Sequence, residues 1–306
     1  MAWNYLNYDI THIVLAALYL VLGGVAVYAW WNRPTSNVSP IQKVFYPLML
    51  FGVLVRALFM MLQPFIREND IRLPNQANVL LNSLPSFIFF SNYLIVLFIW
   101  AEMYLIFDGS SMKVVHRLPW IFNLMAVSMY TTITILYILD FTIYPLSYQP
   151  ISAFNDTIEY IIGTFDGCCF IFLALAYSVV GTSLIVKFRE PHPNFTEDKR
   201  RIVVKRVTVV TLLVFICFLI RAAITLFAVN KDNLISGTWW WFDGVYFFSF
   251  EIVPITIMLY ALRMNNGNSS HYTYAHSTNI KRQDMLNIRS ASGSHNDYAP
   301  LLGHHP

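Results

Sequence analysis

One stretch limits this chain more than any other. Leu84 to Asp108, LPSFIFFSNYLIVLFIWAEMYLIFD, is apolar almost throughout. A run of about 20 apolar residues crosses the hydrocarbon of a bilayer. Hydrocarbon has no water to satisfy backbone polar groups, so such a run must be a helix. Glu102, just before the polar end, breaks the pattern. A carboxylate in a span is costly unless it is paired, protonated or facing water. Glu102 therefore reads either as a helix-end acid reaching the headgroups or as part of an intramembrane site or pair.

Six further runs repeat the pattern. The spans are expected near Ile10–Trp31, Val44–Ile66, Val79–Phe107, Leu118–Leu139, Ile158–Phe188, Val203–Val229 and Phe242–Arg263. The third and fifth exceed what a bilayer requires, so they tilt or project. Trp30, Trp31, Trp120 and Trp239 to Trp241 sit near span ends, where indole rings anchor at the interface. The chain is 57% hydrophobic and 12% charged. Soluble domains are about a quarter charged, so a soluble globular fold is excluded. The expected fold class is an all-α membrane protein of seven transmembrane helices, over residues 1–263, with a disordered polar tail over 264–306. Cys168, Cys169 and Cys217 all fall inside spans, which leaves no pair placed for a luminal disulfide. MAWNYLNYDITH lacks a basic region, so no cleaved signal peptide is expected.

Orientation follows from Lys and Arg. One set of loops carries Arg33, Lys43, Lys113, Arg117, Lys187, Arg189, Lys199, Arg200, Arg201, Lys205 and Arg206, while the opposite set carries only Arg67, Arg72 and Lys231. The basic side is expected to be cytosolic. That places the N-terminus in the lumen or outside the cell and the C-terminus in the cytosol. Of the sequons at Asn37, Asn155, Asn194 and Asn268, only Asn155 then lies on the glycosylated side. The loop FREPHPNFTEDKRRIVVKR is the most charged. It reads as ordinary cytosolic charge, or as a docking face for an acidic partner or anionic headgroups through Lys199, Arg200, Arg201, Lys205 and Arg206. The tail ends in a candidate sorting signal for coat adaptors, an acidic dileucine of Asp297, Leu301 and Leu302 overlapping a Tyr-x-x-Φ pattern from Tyr298.

Spans one to three resemble spans five to seven in order. Leu18 to Gly23 aligns with Ala176 to Gly181, Leu54 to Ala57 with Leu219 to Ala222, and Phe89 to Ser91 with Phe247 to Ser249. One span between the triplets makes the repeat parallel, a three-plus-one-plus-three plan of a kind found in some transporters. Three charges lie deep. Arg56 is about 20 Å above Lys43, Arg221 about 22 Å above Arg206, and Glu251 about 18 Å from Arg263, at ~1.5 Å per residue. At that shared depth Glu251 can pair with either arginine, as a structural ion pair or as a ligand, proton or ion site. Asp166 and Asp243 lie nearer the luminal ends, and Gly163-x-x-x-Gly167 could permit close helix approach.

Four stretches in order, QKVFYPLMLFGVLVRALF from Gln42, LPSFIFFSNYLIVLFIWAEMY from Leu84, CFLIRAAI from Cys217 and FEIVPITIMLYALR from Phe250, carry a family likeness. The chain resembles the tobamovirus multiplication protein family of plants and, more distantly, the orphan receptor-like lysosomal proteins of animals. The resemblance covers about residues 40–263. It implies that the family's intramembrane charges fall at Arg56, Glu102, Arg221 and Glu251, and its prolines at Pro85 and Pro254. It further implies a vacuolar or lysosomal membrane, an Arf-like small GTPase as partner and, in plant relatives, anchoring of tobamovirus replication proteins. NRPTSNVSPI departs from the plant pattern in the first cytosolic loop. Three functions follow: a GTPase-recruiting scaffold, a G-protein-coupled receptor, or a small-solute or ion transporter. The receptor reading lacks an Asp-Arg-Tyr at the end of span three and an Asn-Pro-x-x-Tyr in span seven. No nucleophile–base or metal-ligand cluster points to an enzyme, and no cofactor is expected.

Overall fold

The computed structural model describes residues 2–32, 40–68, 73–109, 112–143, 157–190, 197–230 and 240–260. They form seven helices that alternate in direction: α1 (Ala2–Trp31), α2 (Pro40–Glu68), α3 (Asn75–Phe107), α4 (Met112–Ile143), α5 (Thr157–Arg189), α6 (Glu197–Asn230) and α7 (Trp240–Phe247). The last continues through a π-turn, Phe248–Ile252, into helix over 253–260. Each of the seven contains a stretch long and apolar enough to cross a membrane. The protein is therefore a multi-pass membrane protein. The apolar stretches of α3 and α5 are the longest, at 32 and 33 residues against 27 and 28 in α4 and α6, although the four helices are 32 to 34 residues in all. Helices such as α6 continue past their apolar stretch into charged sequence, here Glu197 to Arg206.

α3 is the hub. Its most apolar window is 89% buried, against 22% for α4. Every residue from Pro85 to Trp100 is buried, which is what a helix apolar on all faces demands. α2, α4 and α5 pack directly on it. Aromatic pairs knit the contacts: Phe90 with Phe170, Tyr93 with Phe218, Phe98 with Phe122 and Trp100 with Tyr177. α4 lies at the edge, tied by Ser91 to Tyr130 at 2.8 Å and by Ser83 to Tyr137. α3 stops at Asp108 because Gly109 takes φ 70°, the left-handed turn that ends helices. The other helices turn large apolar side chains outward, among them Val21, Leu58, Val127, Val179 and Leu212. That is the surface a bilayer covers.

In lipid, helices associate by packing and close approach more than by expulsion from water. α5 meets α6 where Gly167 faces Leu226, and a Cβ there would lie 2.8 Å from the leucine side chain. α2 meets α3 at Gly52, where a Cβ would lie 2.7 Å from Ile88 Cγ2. Gly52→Val is expected to force α2 off α3 and lower the midpoint of thermal unfolding, followed by tryptophan fluorescence, by roughly 5 °C. An unchanged midpoint would show that the contact is slack.

Candidate functional site

Arg56, Arg221 and Glu251 meet at the middle of the bundle, each 1% exposed or less. Glu251 takes a two-pronged guanidinium from Arg56. Nε donates to Oε2 at 2.9 Å, and one terminal amine binds Oε1. This fork is the geometry in which arginine and carboxylate match best. Arg221 lies 3.1 Å from the same Oε1. Tyr19 of α1 donates its hydroxyl to Oε2 at 2.7 Å. Glu251 thus serves both arginines and does not choose between them.

Ser86 is the joint between the two cations. Its hydroxyl accepts from Arg56 at 3.0 Å and from Arg221 at 2.8 Å, and it donates toward Glu251 at 3.5 Å. That uses both lone pairs and the single proton of a serine. Ser86→Ala is expected to cost about 1–3 kcal/mol, since two buried donors lose their acceptor. Ser86→Thr, which keeps the hydroxyl, should unfold close to the parent temperature. If alanine and threonine behave alike, the hydroxyl has no such role.

One of the remaining acceptors is a carbonyl that a helix proline frees. Pro254 has no amide to return to the carbonyls behind it. The backbone there widens into the π-turn, with Val253 N–H reaching back to Phe248 O. The carbonyl of Phe250 is taken up by Arg221 at 3.2 Å. Just before Pro85, Asn82 presents its backbone carbonyl at 2.9 Å and its side-chain oxygen at 3.1 Å to Arg56. Every N–H of Arg56 is thereby engaged, whereas Nε of Arg221 has no partner among the described residues. Aromatic faces complete the shell, with Arg221 4.1 Å from the Phe170 centroid and Arg56 4.8 Å from that of Phe247.

The site residues expected from the sequence separate into groups. Arg56, Arg221 and Glu251 come together. Glu102 does not join them: it is half-buried and about 24 Å along α3 from Ser86. At that same end, Lys187 bridges Asp108 and Glu190, each at 3.1 Å, which ties α5 to the end of α3. Arg201, Lys205 and Arg206 are exposed on the first turns of α6, while Arg200 leans on Glu197 at 3.8 Å. The side chain of Lys199, the sequon at Asn155, and Asp297, Tyr298, Leu301 and Leu302 lie outside the described residues. Tyr19, Asn82 and Ser86 were not anticipated as site residues.

The profile of the THH1/TOM1/TOM3 domain matches residues 3–276, which includes all seven helices. This chain belongs to the THH1/TOM1/TOM3 domain family. No curated protein matches it. Within this THH1/TOM1/TOM3 domain two buried tyrosines each donate to a neighbouring helix. Tyr19 of α1 donates to Glu251 of the seventh helix, and Tyr177 of α5 donates to the carbonyl of Tyr93 of α3 at 2.7 Å. Tyr177 is the residue aligned with Tyr19, and Tyr93 is the residue aligned with Glu251. α1 packs on α2 and α7, as α5 packs on α6 and α3.

Proposed function

We propose that this protein is a scaffold of vacuolar or endolysosomal membranes that recruits an Arf-like small GTPase to its basic end. The supporting observation is the charged start of α6. It is regular helix from Glu197, projecting beyond the apolar stretch, with Arg201, Lys205 and Arg206 exposed on it. A preformed basic helix attracts an acidic surface without a cost of ordering, and charge complementarity mainly raises the association rate. The Lys187–Asp108 bridge holds the neighbouring helix ends together, so the face is presented on a fixed base. The GTPase comes from the family resemblance. In this reading the basic end is cytosolic, and Asp297, Tyr298, Leu301 and Leu302 are read by coat adaptors for delivery to the degradative compartment. Protease protection of the tail in sealed vesicles tests that orientation.

The architecture in this proposal is a parallel tandem of α1–α3 and α5–α7 joined by α4. The matched tyrosine contacts and helix packings support it, and so does the convergence of the two aligned arginines on one serine. An experimental structure in which the triplets fail to superpose would remove it.

The test of the scaffold is capture of the protein in mild detergent on Arf-like GTPases locked with GTP or with GDP, leaving the tail untagged. Retention should depend on the nucleotide. Reversing Lys199, Arg200 and Arg201 to Glu should weaken it about tenfold, since exposed pairs contribute up to ~1 kcal/mol each. No retention in either state would overturn the proposal.

A further inference from the structure

A cavity of about 180 Å³ lies on the side of the Arg56–Glu251–Arg221 cluster away from the basic end, walled by α2, α3, α5, α6 and α7. By liquid volume that is room for about six waters. Two acids line it, Asp166 and Asp243, and so do the rings of Phe242, Tyr246 and Phe247. Asp166 is buried and Asp243 half-buried, so the first is the more enclosed of the two acids.

Asp166 is 8% exposed, and its Oδ1 has no hydrogen-bond partner among the described residues. A buried carboxylate in a span is costly unless paired or protonated. The cations nearby do not pair with it. Arg56 lines the cavity with all of its N–H groups engaged elsewhere. Arg221 is in Coulombic reach but does not line the cavity. An anionic ligand would find no free guanidinium donor on this wall and two carboxylates facing it. The cluster of two arginines and one glutamate carries one net positive charge, which the charge of Asp166 balances. Asp243 adds one more negative charge, so the site as a whole is complemented by a single positive charge. Aromatic rings beside carboxylates are the setting in which ammonium groups with an apolar body bind.

We propose that this cavity binds a small organic monocation, with its ammonium centre held by Asp166 and Asp243 against the rings of Phe242 and Tyr246. The site stands independently of any partner at the basic end. Of the two acids, Asp166 is the more enclosed anchor and Asp243 the more exposed contact.

The experiment is thermal unfolding of the purified full chain in detergent with choline, ethanolamine or tetramethylammonium. The controls are neohexanol, the neutral carbon isostere of choline, and sodium chloride at matched ionic strength. At saturation at least one ammonium compound should raise the midpoint by about 4 °C, by preferential binding to the folded state. Neither control should do so, and the shift should vanish in Asp166→Asn and shrink in Asp243→Asn. No shift with any of the three would overturn the proposal. An equal shift with neohexanol, an equal shift with sodium, or a shift retained in Asp166→Asn would overturn it as well. If Asp166→Asn does not fold, Asp243→Asn decides, since its half-buried side chain makes no ion pair or hydrogen bond among the described residues.

Discussion

Glu251→Gln is expected to lower the unfolding midpoint by roughly 10 °C and to cut the yield of monodisperse protein, because it leaves two buried arginines without a counterion. The substitution changes the shape of the side chain hardly at all. Gln can still accept from Tyr19 or from one guanidinium. What it removes is the only negative charge within salt-bridge distance of Arg56 and Arg221 among the described residues. Removing one partner of a buried pair costs about 3–5 kcal/mol, since the remaining charge cannot be hydrated. Here two charges remain. Glu251→Asp serves as the control, because it keeps the charge and shortens the reach, and it should fall between parent and Gln. If Glu251→Gln expresses and unfolds as the parent does, the cluster contributes nothing to holding the bundle.

Arg56→Ala is expected to be more damaging than Arg221→Ala, although the two arginines are equally buried. Arg56 binds both oxygens of Glu251, the hydroxyl of Ser86 and both oxygens of Asn82. Its loss strands acceptors on α3 and on the seventh helix. Arg221 reaches Ser86, Phe250 O and one oxygen of Glu251, with Nε unpartnered among the described residues. After Arg56→Ala, Glu251 keeps Arg221 and Tyr19; after Arg221→Ala, it keeps the stronger fork. A difference of about 1–2 kcal/mol follows from the extra charged hydrogen bonds. The midpoints of the two variants, measured side by side in the same detergent, test the order. Equal midpoints, or Arg221→Ala falling lower, would show that the fork is not the stronger contact.

The three charges of this cluster were legible in the sequence because charge inside an apolar run is conspicuous, and because helical rise alone puts Arg56, Arg221 and Glu251 at one depth. The pairing then had few alternatives. Ser86, Asn82 and Tyr19 carried no such signal. A serine in a helix is ordinary, and nothing in LPSFIFF says which face Ser86 takes. Only the position of Pro85, one residue before it, marked that turn as one with disturbed backbone bonds. The π-turn was hidden for a similar reason. Pro254 announces a missing amide, but a kink and a widened turn look the same in sequence. Glu102 shows the opposite limit. Its residue type was as conspicuous as that of Glu251, yet its place near the end of α3 puts it far from both arginines. The seven helices were readable because lipid enforces one simple rule on backbone and side chains alike. The cavity beside Asp166 was not, since a void is a property of five helices together.

The position of Glu251 in the last span also has a consequence for how the protein is made. The ribosome delivers α2, with Arg56, and α6, with Arg221, before the seventh helix exists. Until that helix enters, two guanidinium groups lie in the growing bundle without their counterion. The chain is electrically incomplete to its final span, and α7 with the segment after it closes the assembly as a keystone does. A polypeptide ended before Trp240 should therefore be retained and degraded faster than the full chain. Supplying the missing span as a separate peptide carrying Glu251 should slow that loss, whereas the same peptide with Gln should not.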